Sequence, residues 1–184
     1  MDMIKKPDYG VVGPKVFLKV LEEKDLEKVF RWKNNVELTR LVKAHPLPVA
    51  MYEMGEWFKR NQSDKNQILW GIYEKRSTKL IGIVRLMFIN WISKNAEFGI
   101  FIGEKIYTGK GIGKEVLNLV LDFAFNDINL HRIHLKVNES NSKAIHLYKS
   151  CGFKKEGVFR EHFYMNGKYE NIILMGLLKI EYGK

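Results

Sequence analysis

The sequence predicts a mixed α/β fold built around one sheet, of about seven strands and about four helices. Three observations carry that reading. Short β-branched and aromatic runs alternate in and out with a period of two. Between them lie segments whose apolar residues recur at helical spacing. The pair Asn166-Gly167, flanked by two such runs, is the strongest short hairpin signal a sequence offers.

Val16 to Leu21 reads as a first strand, and Glu22 to Lys33 as a helix with an acidic start and Leu26, Val29, Phe30 and Trp32 near helical spacing. His45-Pro46-Leu47-Pro48 interrupts the chain, and Val49 to Arg60 follows as a second helix with Met51, Met54, Trp57 and Phe58 on one side. Ile68 to Glu74 and Lys79 to Asn90 are strands joined by a polar turn. In a fourth strand, Ala96 to Ile102, alternation puts Glu97 with Gly99 and Phe101, and Phe98 with Ile100 and Ile102 on the opposite face. A third helix runs from about Ile112 to Phe125 on the stripe Ile112, Val116, Leu119, Val120 and Phe123. His131 to Val137 is a strand, and Asn141 to Ser150 a short helix stopped by Gly152. Phe153 to Tyr164 and Tyr169 to Leu178 close the sheet. With no repeat, linker or shift in composition, residues 1–184 read as one domain, with 1–14 as a flexible tail.

Composition excludes several classes. Apolar residues are 46% and charged residues 28%, the balance of a globular chain rather than a disordered or fibrous one. Cys151 is the single cysteine, so no internal disulfide framework exists and a reducing compartment fits. The longest apolar run, Leu80 to Ile89, is interrupted by Arg85 and is far too short to span a bilayer. Met1 to Pro7 has no apolar core of a secretory signal, which leaves the cytoplasm as the default. The formal net charge of +10 attracts polyanions, whether nucleic acid, anionic membrane or a phosphate-rich cofactor. The lysines are dispersed, without the basic run of a nucleic-acid arm.

Chemistry concentrates in two segments. Thr108-Gly109-Lys110-Gly111-Ile112-Gly113-Lys114 joins a strand to a helix. Glycines allow close backbone approach, and the first N–H groups of the helix are unpaired, which makes an anion site. Lys110 and Lys114 sit where the helix dipole disfavours cations, a conflict that a bound phosphate removes. Neither the Walker pattern nor the dinucleotide pattern fits: Glu115 follows Lys114, and Lys114 stands where a third glycine would be needed. The second segment is Asn141-Ser142-Lys143-Ala144-Ile145-His146-Leu147-Tyr148-Lys149-Ser150-Cys151-Gly152-Phe153.

On these two motifs the chain resembles the GCN5-related N-acetyltransferase (GNAT) superfamily, which pairs a [Q/R]-x-x-G-x-[G/A] turn with an N-x-x-A-x-x-[L/F]-Y-x-x-x-G-F helix. Thr108 replaces the usual Gln or Arg; the second motif matches at every defining position. Ala96-Glu97-Phe98, Lys155-Glu156-Gly157 and Asn166-Gly167-Lys168-Tyr169 are similar to the branches that acetylate ribosomal-protein N-termini, spermidine or amino sugars. The resemblance implies a mostly antiparallel sheet and transfer of an acetyl group from acetyl-CoA to a primary amine by direct attack in a ternary complex. It implies Tyr148 as the acid that protonates the leaving thiolate, and Glu97 as a base acting directly or through water. For CoA it implies backbone donors at Ile100, Phe101 and Ile102, a cradle of Thr108, Gly109, Lys110, Gly111, Ile112, Gly113 and Lys114, and contacts from Asn141, Lys143, Ala144 and Tyr148. Asn141 also reads simply as a helix cap.

Acceptor recognition is expected from Arg31 to Val42, the early helices and the Asn166 hairpin, with Trp32, Trp57, Tyr164 and Tyr169 as pocket or core. The charge favours an anionic acceptor such as an amino-sugar nucleotide. His45, His131, His134, His146 and His162 have no metal-ligand spacing, so no metal is expected, and Cys151 reads as packing. A homodimer through strand edges is implied by the resemblance alone. The alternatives are a CoA-binding regulator without turnover and a basic nucleic-acid-binding module.

Overall fold

The structure, a computed structural model, describes residues 10–41, 47–165 and 167–183. The expected tail at 1–9, the chain break at His45-Pro46, Val42 and Asn166 lie outside the described residues.

Among the described residues eight strands form one sheet: β1 (Val11–Val12), β2 (Val16–Val20), β3 (Ile68–Glu74), β4 (Leu80–Asn90), β5 (Asn95–Ile102), β6 (Arg132–Asn138), β7 (Lys154–Met165) and β8 (Lys168–Leu178). Their order is β1-β2-β3-β4-β5-β6-β8-β7. Every pairing is antiparallel except β5 with β6. The extra strand corrects the expected tail: Val11 and Val12 pair with Leu18 and Phe17, because Gly13 N–H donates to Val16 O and folds the segment back.

Five α-helices are present among the described residues: α1 (Leu26–Lys33), α2 (Val36–Leu41), α3 (Met51–Ser63), α4 (Ile112–Asp122) and α5 (Ser142–Ser150). The helix expected over 22–33 opens instead with a 3-10 turn, Glu23–Asp25. Asp25 is buried, accepts the Glu22 N–H at 2.9 Å and the Tyr73 hydroxyl at 2.6 Å, and so binds the turn to β3. The helix α2 was not predicted; the Asn35 side chain starts it by accepting the N–H groups of Glu37 and Leu38.

Alternation along the strands splits the core between the two faces of the sheet. On one face Val16, Leu18, Val84, Leu86, Phe98, Ile133 and Met175 pack with the α4 stripe and with Tyr148 of α5. On the other, Leu21, Leu69, Tyr73 and Ile83 pack with Val29, Trp32 and Met54 of α1 and α3. Trp32 lies on the Gly103 backbone, where a Cβ would fall within 2.1 Å of the ring, so only glycine fits there. The β7–β8 hairpin closes at Met165 opposite Lys168, with Gly167 at φ +82°.

Candidate active site

The site begins with a missing piece of sheet. β5 and β6 pair at Asn95, Ala96 and Glu97 against Arg132, Ile133 and His134, and then part, although β5 runs to Ile102 and β6 to Asn138. β5 stays paired with β4 from Glu97 to Ile102, with Phe101 opposite Ile83 and Gly99 opposite Arg85. Gly103 N–H donates to Ile81 O across that ladder at 2.9 Å. The two-residue alternation therefore turns Phe101 and Gly99 N–H groups onto β4, and those of Phe98, Ile100 and Ile102 into the gap. Of the three donors expected, Ile100 and Ile102 face the gap and Phe101 does not; its ring packs instead edge-on against Trp32 at 5.7 Å.

One end of the gap is the glycine turn. Gly109 and Gly111 hold φ +73° and +80°, a conformation that glycine adopts without strain, and Gly111 caps α4. The first intrahelical bond is Glu115 N–H to Gly111 O, which leaves the N–H groups of Ile112, Gly113 and Lys114 without helical partners. Lys15 adds a third cation beside Lys110 and Lys114: its Nζ donates to Lys110 O at 2.9 Å. Nothing in the sequence tied Lys15 to this turn; Glu115 does so in the fold by accepting the N–H groups of Lys15 and Val16. A Cβ on Gly113 would stand 3.3 Å from Leu147, so glycine here lets α4 and α5 lie close. Asn141 caps α5, its Oδ1 accepting the Ala144 N–H at 3.1 Å.

A single cleft of about 2230 Å³ joins these parts. Thr108, Gly109, Gly111, Gly113, Lys114, Asn141, Lys143 and Ala144 line it at the turn, Ile100, Ile102 and Tyr148 line it in the gap, and Phe101 lines it beside Trp32. Glu97 lines it on the α1–α3 side. Lys110 is exposed at its margin and the Ile112 side chain is core. Tyr148 is only 8% exposed and lies between the rings of Phe98 and Phe153, and its hydroxyl makes no hydrogen bond among the described residues. Burial pushes its phenol up to about 12, so it carries its proton at neutral pH.

Glu97 is half-buried and ion-paired with Lys136 at 2.8 Å. His134 Nε2 lies 3.8 Å from it; burial holds that imidazole below its ordinary value, so it is neutral at pH 7. Arg85, Lys33 and Lys136 also line this side, and none was singled out from the sequence for a role in the site. Trp32 is core as well as wall, whereas Trp57, Tyr164 and Tyr169 line the cleft more openly. Among the described residues no three His, Cys, Asp or Glu side chains are grouped to hold a metal, and no helix is long and apolar enough to cross a membrane.

A sheet opened beside a glycine cradle, with a protonated phenol under the opening, makes a site suited to an extended, anion-bearing ligand. The family model for the acetyltransferase (GNAT) domain matches residues 15–154. The spermidine N(1)-acetyltransferase of Vibrio cholerae is 34% identical over 165 residues, spanning 90% of this chain and 94% of that protein. That of Escherichia coli is 33% identical over 167 residues, spanning 91% and 88%. The crystal structure of the Vibrio cholerae spermidine N-acetyltransferase in complex with CoA and spermine matches with a TM-score of 0.87 at 32% identity, covering 94% of this chain and 100% of that one. Another structure from that organism is a complex with manganese ions. The chain belongs to the GNAT acetyltransferase family. It is an acetyl-CoA-dependent N-acetyltransferase that acts on a primary amine.

Proposed function

We propose that this chain holds acetyl-CoA in the gap between β5 and β6 and presents it to an amine bound on the α1–α3 face, for direct attack without a covalent enzyme intermediate or a metal. The parting of β5 from β6 beyond Glu97, with Tyr148 beneath it, is the observation that carries the reading.

The chemistry divides among this chain's own groups. Acetyl-CoA supplies the activated carbonyl. The N–H groups of Ile100 and Ile102 donate to the pantetheine arm and to the carbonyl oxygen as it gains charge; one such donor is worth about 3 kcal/mol in a transition state. Phe101 shapes the wall rather than donating. The turn Thr108 to Lys114, with the Lys15, Lys110 and Lys114 ammonium groups, holds the pyrophosphate, and Asn141, Lys143 and Ala144 border the same arm. Tyr148 gives its proton to the departing thiolate. Glu97, held by Lys136, orients the amine and takes its proton through water.

The spermidine N(1)-acetyltransferases put a polyamine amine first among acceptors to try. We place the enzyme in the cytoplasm, as one catalytic domain over residues 1–184 that forms a homodimer. The regulator reading predicts acetyl-CoA binding without thiol release, and the nucleic-acid reading predicts salt-dependent RNA binding without acetyl-CoA binding. Release of free CoA thiol with any primary amine, undiminished by EDTA, supports the proposal. Tight acetyl-CoA binding with no release for any amine contradicts it.

A further inference from the structure

The half of the cleft that faces α1 and α3 carries more positive than negative charge. Arg85 stands on β4 opposite Gly99, half-buried on the same face as Glu97 and Lys136. Its guanidinium makes no hydrogen bond or ion pair among the described residues. Lys33 closes α1, half-buried, with its ammonium 4.0 Å from the Trp57 ring centroid and no ion pair among the described residues, the Glu53 carboxylate acting on it from farther off. Burial and the charges of Arg85 and Arg60 draw the Lys33 ammonium down to about 8, so the two cations are near enough to repel each other. Glu97 is the one carboxylate among the described residues that line the cleft, and Lys136 already occupies it at 2.8 Å. Arg85 and Lys136 therefore share Glu97, and Lys33 feels only the Glu53 carboxylate of α3, with which it forms no ion pair. Withdrawing a guanidinium from water without a counterion of its own is unfavourable unless something else in the working enzyme supplies the negative charge.

We propose that the acceptor is a primary amine whose scaffold also bears a phosphate or carboxylate group, and that Arg85 and Lys33 bind that group while the amine faces Glu97. The inference rests on the acetyltransferase reading and names the substrate class within it. The planar fork of Arg85 suits two-point binding of either oxyanion, and the Lys33 ammonium adds a point charge. Trp57 and Trp32, on the same wall, offer flat apolar surface to the scaffold between the two ends. Spermidine has the opposite character: a flexible polycation would meet Arg85, Lys33 and Lys136 with only Glu97 to receive it. On this reading the chain keeps the acetyl-transfer machinery of its spermidine-acetylating relatives and takes a different acceptor.

The test is the initial rate of CoA thiol release at fixed acetyl-CoA with matched amines: glucosamine against glucosamine 6-phosphate, glycinamide against glycine, and spermidine alone. The sugar pair reports a phosphate and the glycine pair a carboxylate. In at least one pair kcat/KM should favour the anionic member by about 10- to 100-fold, the range expected of charge-assisted hydrogen bonds. Arg85→Met should collapse that ratio towards one, Lys33→Met should reduce it, and Arg85→Lys should restore part of it. Calorimetric binding of acetyl-CoA checks that each variant folds; if one does not, the wild-type ratios decide. A preference for spermidine or for the neutral members overturns the inference and leaves acetyl transfer intact, as does an anionic preference that survives Arg85→Met. Failure of every amine to release thiol overturns the acetyltransferase reading and this inference with it.

Discussion

Tyr148 combines two properties a thiolate-protonating group needs: it borders the gap, and burial keeps its proton in place. Replacing it with Phe removes one hydroxyl that bonds to no described residue, so the fold should tolerate the change. We expect Tyr148→Phe to lower kcat by about 10- to 1000-fold, the order of a positioned acid, with calorimetric affinity for acetyl-CoA retained. Because the phenol is raised to about 12, its folded value exceeds its unfolded one, and it holds its proton through the whole interval below. Any stability it contributes is full below about pH 10 and is lost as pH rises through about 12. The kcat profile should therefore show no descending limb from Tyr148 below about pH 10. Glu97→Gln keeps the shape of the side chain but frees Lys136; kcat should fall by about tenfold or more, and unchanged activity across the pH range would remove Glu97 from the mechanism. That Tyr148 and Glu97 line the cleft was legible because a local motif and a strand alternation mark them. Arg85 was not: it read only as an interruption of an apolar run, and its place beside Glu97 depends on the β4–β5 register, which no local pattern discloses.

At the level of elements, the fold builds the site by withholding a hydrogen-bond ladder and by two helix starts. Gly111 at φ +80° ends the turn and begins α4. A β-branched residue there is strained by about 1–2 kcal/mol, which lowers Tm by about 2–8 °C in a chain of this size. Gly111→Val should show that shift in a thermal melt together with a raised KM for acetyl-CoA, whereas a normal KM would detach the turn from the cofactor. Asn141→Ala loses the cap on α5, worth about 1 kcal/mol of stability by denaturant titration. Most strands were legible because their alternation is set by burial on both faces. The short helix α2 and the 3-10 opening before α1 were not, since they depend on the Asn35 cap and the Asp25–Tyr73 hydrogen bond. Nor could sequence reveal which of Ile100, Phe101 and Ile102 turns its N–H to the gap, because that parity is fixed by the Gly103–Ile81 bond.

Across the whole molecule, a charge of +10 surrounds a cleft that must attract a polyanionic cosubstrate. Raising ionic strength from 0.01 to 0.15 M shortens the screening length from about 30 to about 8 Å. The kcat/KM for acetyl-CoA should fall several-fold over that range while kcat holds; a flat response would assign the lysines to solubility alone. The central claim is that cosubstrate and amine meet in one cleft, one from each side of the opened sheet, and react directly. Initial velocities of thiol release over a grid of acetyl-CoA and amine concentrations test it. Intersecting double-reciprocal lines are the predicted result, since both substrates must be bound before transfer. Parallel lines would mean that an acetyl group leaves CoA before the amine arrives, and would contradict a site in which Cys151 only packs and no side chain is acylated.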